Sequence, residues 1–346
     1  MKETELRTVA NLNIESISSS TVVDFSRILG GGNNRLFKAV TENCKEFLVK
    51  EYFPDDRKRL QREYGALEFL NKSGFDDVPT PYFADETQNY AIYSFEKGRI
   101  ADAKAFTSIE IDKVVCFLNK LQKTKPENEN RARFLDALFA SRSLDEYSDT
   151  ILFKFGKFEE SLKSKEIHPK VTKLAETYQL SEIVRGTIER LHKNSATKKL
   201  FKPIKESDMR LSPVDFGPHN IIMRNNDEPC FIDFEYFGWD DPVKIVANFL
   251  LHEGSKDIPR EQKLYFLNRF KEQSSLPLHV IERIDIAVQL AALDWISILL
   301  WGIAPDRVAS KKFLDADLNI ENYLDKQIHK IVIRIDDLQK KSIEDQ

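Results

Sequence analysis

The stretch from Leu211 to Glu235 constrains this chain more than any other. It reads Leu211-Ser212-Pro213-Val214-Asp215-Phe216-Gly217-Pro218-His219-Asn220, then Ile221-Ile222-Met223-Arg224, a polar gap, and Cys230-Phe231-Ile232-Asp233-Phe234-Glu235. Two apolar runs separated by Asn225-Asn226-Asp227-Glu228 predict a β-hairpin. A two-residue loop at Asn226-Asp227 would set Asn220 opposite Asp233. Directly opposed residues hold their Cβ atoms ~4.5–5.5 Å apart, close enough for an amide oxygen and a carboxylate to share one cation. Hard oxygen donors of this kind suit Mg²⁺, which takes one or two protein carboxylates together with substrate phosphates. Asp215, in the loop ahead of the hairpin, is placed to point at a substrate hydroxyl. The plainer alternative is an Asx-turn and two polar strand ends.

The chain before Gly98 has a different texture. Short strand-like runs (Val23-Asp24-Phe25, Leu36 to Val40, Phe47 to Lys50, Tyr90 to Tyr93) are interrupted by a helix predicted over 57–70. In a strand, Lys50 shares its face with Leu48 and Tyr52. On the helix, Leu60, Glu63, Leu67 and Leu70 form one stripe, so Glu63 is a carboxylate on the core-facing seam. Charges on apolar faces are costly unless paired, and pairing Lys50 with Glu63 satisfies both. A snorkelling lysine beside a seam-edge glutamate is the other reading. The run Gly30-Gly31-Gly32-Asn33-Asn34 exposes backbone N–H groups suited to phosphate, or is a flexible hairpin turn. After Gly98 the pattern becomes long and helical apart from the hairpin. This predicts an N-terminal lobe over 1–97 and a helical C-terminal lobe over 98–346.

Composition closes off several classes. With 52 Lys+Arg against 56 Asp+Glu the formal net charge is -4, so no basic excess exists to neutralise a nucleic acid backbone. Cys44, Cys116 and Cys230 form no CxxC pair, which speaks for a reducing compartment and against a zinc ribbon or disulfide framework. The apolar run around Ile296 to Trp301 is too short to span a bilayer. The charged start, Met1 to Glu5, shows no signal peptide, and a cytoplasmic location is expected. The six histidines have no metal-ligand spacing and no HExxH is present. No GxSxG elbow exists either. His219 is read as shaping the loop. Trp295 and Trp301 lie with Asp294 in an apolar helix predicted over 286–303 and are read as core.

Asp215 with Asn220 five residues later, then an apolar strand ending Ile232-Asp233-Phe234-Glu235, resembles the catalytic loop and metal-binding segment of the aminoglycoside phosphotransferase and choline kinase superfamily. The likeness runs on through Tyr236 to Pro242, where Asp241 as N-cap and Pro242 in the first turn predict a helix start. It reaches back to Lys50, Glu63 and the segment Ile92 to Gly98, covering about residue 25 to 305. The resemblance implies an α+β, two-lobed protein-kinase-like fold with ATP between the lobes. It implies Asp215 as the aspartate that orients or deprotonates the acceptor hydroxyl, and Asn220 and Asp233 as Mg²⁺ ligands. Lys50, paired to Glu63, would hold the α/β-phosphates, and backbone groups of Ser94 and Glu96 would meet the adenine. The implied activity is phosphorylation of a hydroxyl on a small molecule, a metabolite, amino alcohol or sugar-containing acceptor in preference to an antibiotic. Members acting on cationic alcohols use aromatics from the region of Trp295 and Trp301. Three features depart from the pattern: Pro213 stands where a histidine is usual, Asn248 where a buried aspartate is common, and the glycine loop lacks the protein-kinase spacing, a point on which the superfamily is permissive. A nucleotide-binding pseudokinase and a nucleotidyl transferase remain the rival readings.

Overall fold

The computed structural model describes residues 2–29, 34–124, 134–314 and 317–344, so Gly30 to Asn33 of the glycine run lie outside the described residues. Contacts group the chain into two units. The first comprises Met1–Ala140, Arg210–Ile245 and His252–Ser275; the second comprises Ser141–Met209, Val246–Leu251 and Leu276–Gln346. In chain order come α1 (Glu3–Ser18), β1 (Val22–Ile28), β2 (Arg35–Thr41), β3 (Glu46–Glu51), α2 (Arg59–Lys72), β4 (Pro81–Asp85), β5 (Tyr90–Ser94), β6 (Gly98–Ile100) and α3 (Ser108–Lys123). Then follow α4 (Leu144–Ser161), α5 (Pro169–Tyr178), α6 (Thr187–Lys193), β7 (Arg210–Ser212), β8 (Ile221–Arg224), β9 (Pro229–Phe231) and β10 (Gly238–Asp240). The remaining helices are α7 (Pro242–Leu251), α8 (Arg260–Gln273), α9 (Leu278–Ile281), α10 (Ile284–Gly302), α11 (Pro305–Leu314) and α12 (Ile320–Glu344).

The first unit is built on an antiparallel sheet of order β1-β2-β3-β5-β4. Alternate residues face opposite sides, and each side meets a helix. Phe37, Ala39, Phe47, Val49, Tyr90 and Ile92 bury one face against Leu6, Ala10 and Ile14 of α1. This helix was not among the sequence expectations, although its buried apolar residues recur every fourth position. It opens with the Lys2 N–H donating to Glu5 Oε2, a cap that satisfies one N-terminal group. The other face carries Lys50, Tyr52 and Tyr93 beneath α2, whose Leu60, Glu63, Leu67 and Leu70 are all buried.

The hairpin forms, but its register is one residue from the expected one. Ile221 pairs with Phe231 and Met223 with Pro229, so Asn220 lies opposite Ile232, whose N–H donates to the Asn220 carbonyl at 3.0 Å. The loop holds three residues, Asn225 to Asp227. Asp227 adopts φ 60, and the Arg224 N–H donates to Glu228 O at 2.9 Å. Asparagine and aspartate tolerate that left-handed conformation, which adds one residue to the turn and shifts every partner beyond it. β8 also pairs with β6, putting Gly98 against Arg224. A Cβ on Gly98 would collide with the Met223 carbonyl, which is why a glycine stands there. β7 pairs with β10, Leu211 against Trp239, and so anchors the strand that runs into Asp215.

In the second unit α4 packs along α10. The apolar stretch is longer than expected: Leu278–Gly302 spans 25 residues, and its most apolar window has a mean hydropathy of 1.6, enough by length and composition to cross a membrane. Yet 61% of its most apolar window is buried in the protein. At its middle Asp294 is buried, paired with Lys154 at 2.6 Å. That is the pattern of a core helix. Trp301 and Trp295 are half-buried, and the guanidiniums of Arg307 and Arg334 sit over their rings at 4.2 and 5.2 Å.

Candidate active site

Lys50, near the end of β3, has its ammonium between two carboxylates, Glu63 Oε2 at 2.7 Å and Asp233 Oδ1 at 2.8 Å. The pairing with Glu63 is the one expected; the second partner was not. Burial works to lower the lysine pKa, but Asp233 and Glu63 outweigh it and hold the ammonium above the ordinary lysine value. Glu63 accepts a further hydrogen bond from Tyr52 Oη at 2.8 Å, and Tyr52 meets Tyr93 Oη at 2.7 Å. Burial pushes Glu63 up to about 7 against the pull of Lys50, with the charge of Asp233 adding to the rise. Asp233 itself adopts φ 67 just beyond β9.

Glu235 is a participant that sequence reasoning missed. It is buried and ion-paired with Arg59 at the start of α2. Its other oxygen accepts from Asn34 Nδ2 at 2.6 Å. Glu235 thus ties Asn34, α2 and the Asp233 segment to one carboxylate. Its signal was available: a second acid two residues beyond Asp233 in an otherwise apolar segment.

The Asp215 loop is strained. Val214 adopts φ 68, and the Asp215 N–H donates to Pro213 O at 2.8 Å, a γ-turn centred on a β-branched residue. Such residues rarely take positive φ, and the conformation costs ~1–3 kcal/mol where it persists. A short turn, Pro218–Asn220, then leads into β8. Asn220 is buried and its Nδ2 donates to Asp215 O at 3.0 Å. That leaves Asn220 Oδ1 and Asp233 Oδ2 without a hydrogen bond among the described residues. Two hard oxygens, one of them charged, are the donor set that Mg²⁺ takes, so the residues present fit that ion even though they are not directly opposed.

Asp215 was expected to stand open in its loop. Instead Oδ1 meets His219 Nε2 at 3.0 Å and His252 Nε2 at 2.9 Å. The two imidazoles stack with centroids 4.2 Å apart and planes 6° apart. Burial acts to raise the Asp215 pKa, but the two imidazole hydrogen bonds outweigh it and hold the carboxyl well below the usual carboxylate range. His252 was missed because it comes from the loop after α7, and no local spacing links it to Asp215.

Ser94 and Glu96 lie where β5 ends. The Ser94 N–H is spent on Thr80 O at 2.8 Å, and Ser94 Oγ donates to Glu96 Oε1 at 2.6 Å. Arg224 Nε, from β8, donates to Glu96 Oε2 at 2.8 Å. The two are therefore fixed to each other and to the hairpin.

The sequence model of the phosphotransferase enzyme family matches residues 24–275, more than half of the chain. None of the curated proteins matches the chain significantly. Among solved structures, the choline kinase LicA from Streptococcus pneumoniae is 18% identical, with 96% of this chain and 99% of that one covered and a TM-score of 0.60. An ethanolamine kinase from Plasmodium vivax is 19% identical over 89% and 81% of the two chains, TM-score 0.59. The aminoglycoside phosphotransferase APH(2'')-IIa, solved with gentamicin, is 18% identical over 97% and 96%, TM-score 0.61. At these identities the likeness establishes the fold, which is the protein-kinase-like one.

Proposed function

Because the chain belongs to the phosphotransferase enzyme family, we propose that it transfers the γ-phosphoryl group of ATP, with Mg²⁺, to a hydroxyl of a small molecule. One observation carries this reading: an unbroken run of contacts within the first unit. It leads from Asp215 to Asn220, across Ile232 to Asp233, and on to Lys50 and Glu63. Phosphoryl transfer needs positioning and charge neutralisation more than covalent help from the protein, and this run supplies both.

In the reaction the acceptor oxygen forms a bond to the γ-phosphorus as the bond to the β,γ-bridging oxygen breaks, and ADP leaves. Asp215 orients the hydroxyl and takes its proton on Oδ2. A carboxylate of such low basicity accepts that proton late, when the new O–P bond has already acidified the hydroxyl. Lys50 holds the α/β-phosphates, with Glu63 and Tyr52 fixing its ammonium. Asn220 and Asp233 would hold Mg²⁺, which when bound neutralises phosphate charge. Residues 1–97 form the nucleotide-binding lobe, with backbone groups of Ser94 and Glu96 other than the Ser94 N–H, which Thr80 O already takes, meeting the adenine. The acceptor is a metabolite, amino alcohol or sugar-containing molecule, a class that includes those in the names of the choline and ethanolamine kinases above. We place the reaction in the cytoplasm.

The test is purified protein with ATP and Mg²⁺ against a pooled metabolite extract, followed by mass spectrometry. ADP together with a new phosphoester is expected. AMP release would replace the reading with nucleotidyl transfer, and nucleotide binding without turnover would replace it with a pseudokinase.

A further inference from the structure

We propose that His252 is a positioning residue for Asp215, holding Oδ1 so that Oδ2 is the oxygen presented to the acceptor hydroxyl. The inference rests on the phosphotransfer reading above. His252 Nδ1 accepts the Gly254 N–H at 2.9 Å, at the start of the short turn Glu253–Ser255. A ring nitrogen that accepts carries no proton, so the neutral imidazole is protonated on Nε2. That Nε2 lies 2.9 Å from Asp215 Oδ1. The backbone of one loop thus selects the tautomer that donates to the carboxylate of another. His219 reaches the same oxygen at 3.0 Å and stacks on His252. Gly254 packs so closely on the His219 ring that a Cβ there would collide with Nδ1. Both donors converge on Oδ1, and Oδ2 makes no hydrogen bond among the described residues. Pro213, two residues before Asp215, offers no side-chain donor, so orientation falls to imidazoles reached through the fold.

Asp215, His219 and His252 also lie close enough together to hold a metal ion. The Gly254 N–H argues against it. A metal on His252 Nε2 moves the ring proton to Nδ1 and sets two N–H donors against each other, whereas a metal-bound histidine ordinarily donates its other N–H to an acceptor.

Two substitutions separate hydrogen bonding from packing. His252→Phe keeps a ring to stack on His219 without a donor, and His252→Gln keeps an N–H donor at similar reach. Once the acceptor is known, His252→Phe should lower kcat about 10- to 100-fold, the range of a hydrogen bond to a charged group. KM for ATP should be unchanged, and His252→Gln should recover most of the rate. Equal losses in both variants, or a change confined to KM, overturn the proposal. A readout without activity is the ¹⁵N shift of the His252 ring at a pH where it is neutral. Nε2 protonation is expected; Nδ1 protonation, or stoichiometric Zn²⁺ binding that His252→Phe abolishes, overturns it. An inactive wild type removes the phosphotransfer reading and this one with it. An active wild type with an equally active His252→Phe removes only the role of His252.

Discussion

At the scale of residues, the site is an arrangement of charges that each cost free energy alone. Lys50 is nearly inaccessible, with a relative exposure of 6%, and serves two carboxylates. Lys50→Met leaves Glu63 buried without its cation, a change that commonly costs ~3–5 kcal/mol in fully buried pairs. Glu63→Gln should restore only part of that, because Asp233 also loses its partner. A double-mutant cycle by denaturant unfolding should give a coupling of about 1 kcal/mol or more; a coupling of zero would mean that the pair does not meet in solution. Asp233→Ala should abolish the extra thermal stabilisation that Mg²⁺ adds to the ATP complex, since ligand-linked stability disappears with the site. An unchanged Mg²⁺-dependent shift in a melting scan would remove Asp233 from metal binding. The Lys50–Glu63 contact was legible in the sequence because both periodicities are local. The Asp233 and His252 contacts were not, because each joins segments far apart in the chain.

Elements position these residues through a few backbone decisions. Gly98 lets β6 lie against β8 where any side chain would strike the Met223 carbonyl. Gly98→Ala should therefore destabilise the protein by roughly 1–3 kcal/mol, the usual range for overpacking, and urea unfolding would show it as a lowered midpoint at constant slope. A midpoint equal to wild type would mean that β6 is not held there. The hairpin illustrates how far sequence reasoning carries. Its existence follows from two apolar runs and a polar gap, but its register depends on whether the turn takes two residues or three. Asp227 at positive φ decides that, and nothing in the sequence separates Asn226-Asp227 from Asn225-Asn226-Asp227. α1 escaped notice for another reason: its buried residues Leu6, Ala10 and Ile14 give one per turn, and the exposed Leu12 and Ile17 blur that stripe until the sheet it covers is known.

For the whole molecule, the first unit brings the five-stranded sheet and the Asp215 loop together, and its charges couple stability to pH. The Asp215 pKa is lowered in the folded protein, so its contribution to stability is present above the unfolded carboxylate value of ~3.9 and is lost as pH falls through the folded value. Wild type should thus lose more stability than Asp215→Asn on acidification below about pH 4; parallel acid limbs would show that the imidazole contacts do not persist in solution. The fold class was legible because Asp215, Asn220 and Asp233 fall at motif spacing along one stretch of chain, while no short motif encodes an acceptor. The most direct test of Asp215 as the catalytic base compares wild type with Asp215→Asn, measuring phosphoester formation and ATP affinity side by side. Turnover should fall roughly 10²–10⁴-fold at unchanged ATP affinity. Turnover within a factor of two of wild type would contradict that role.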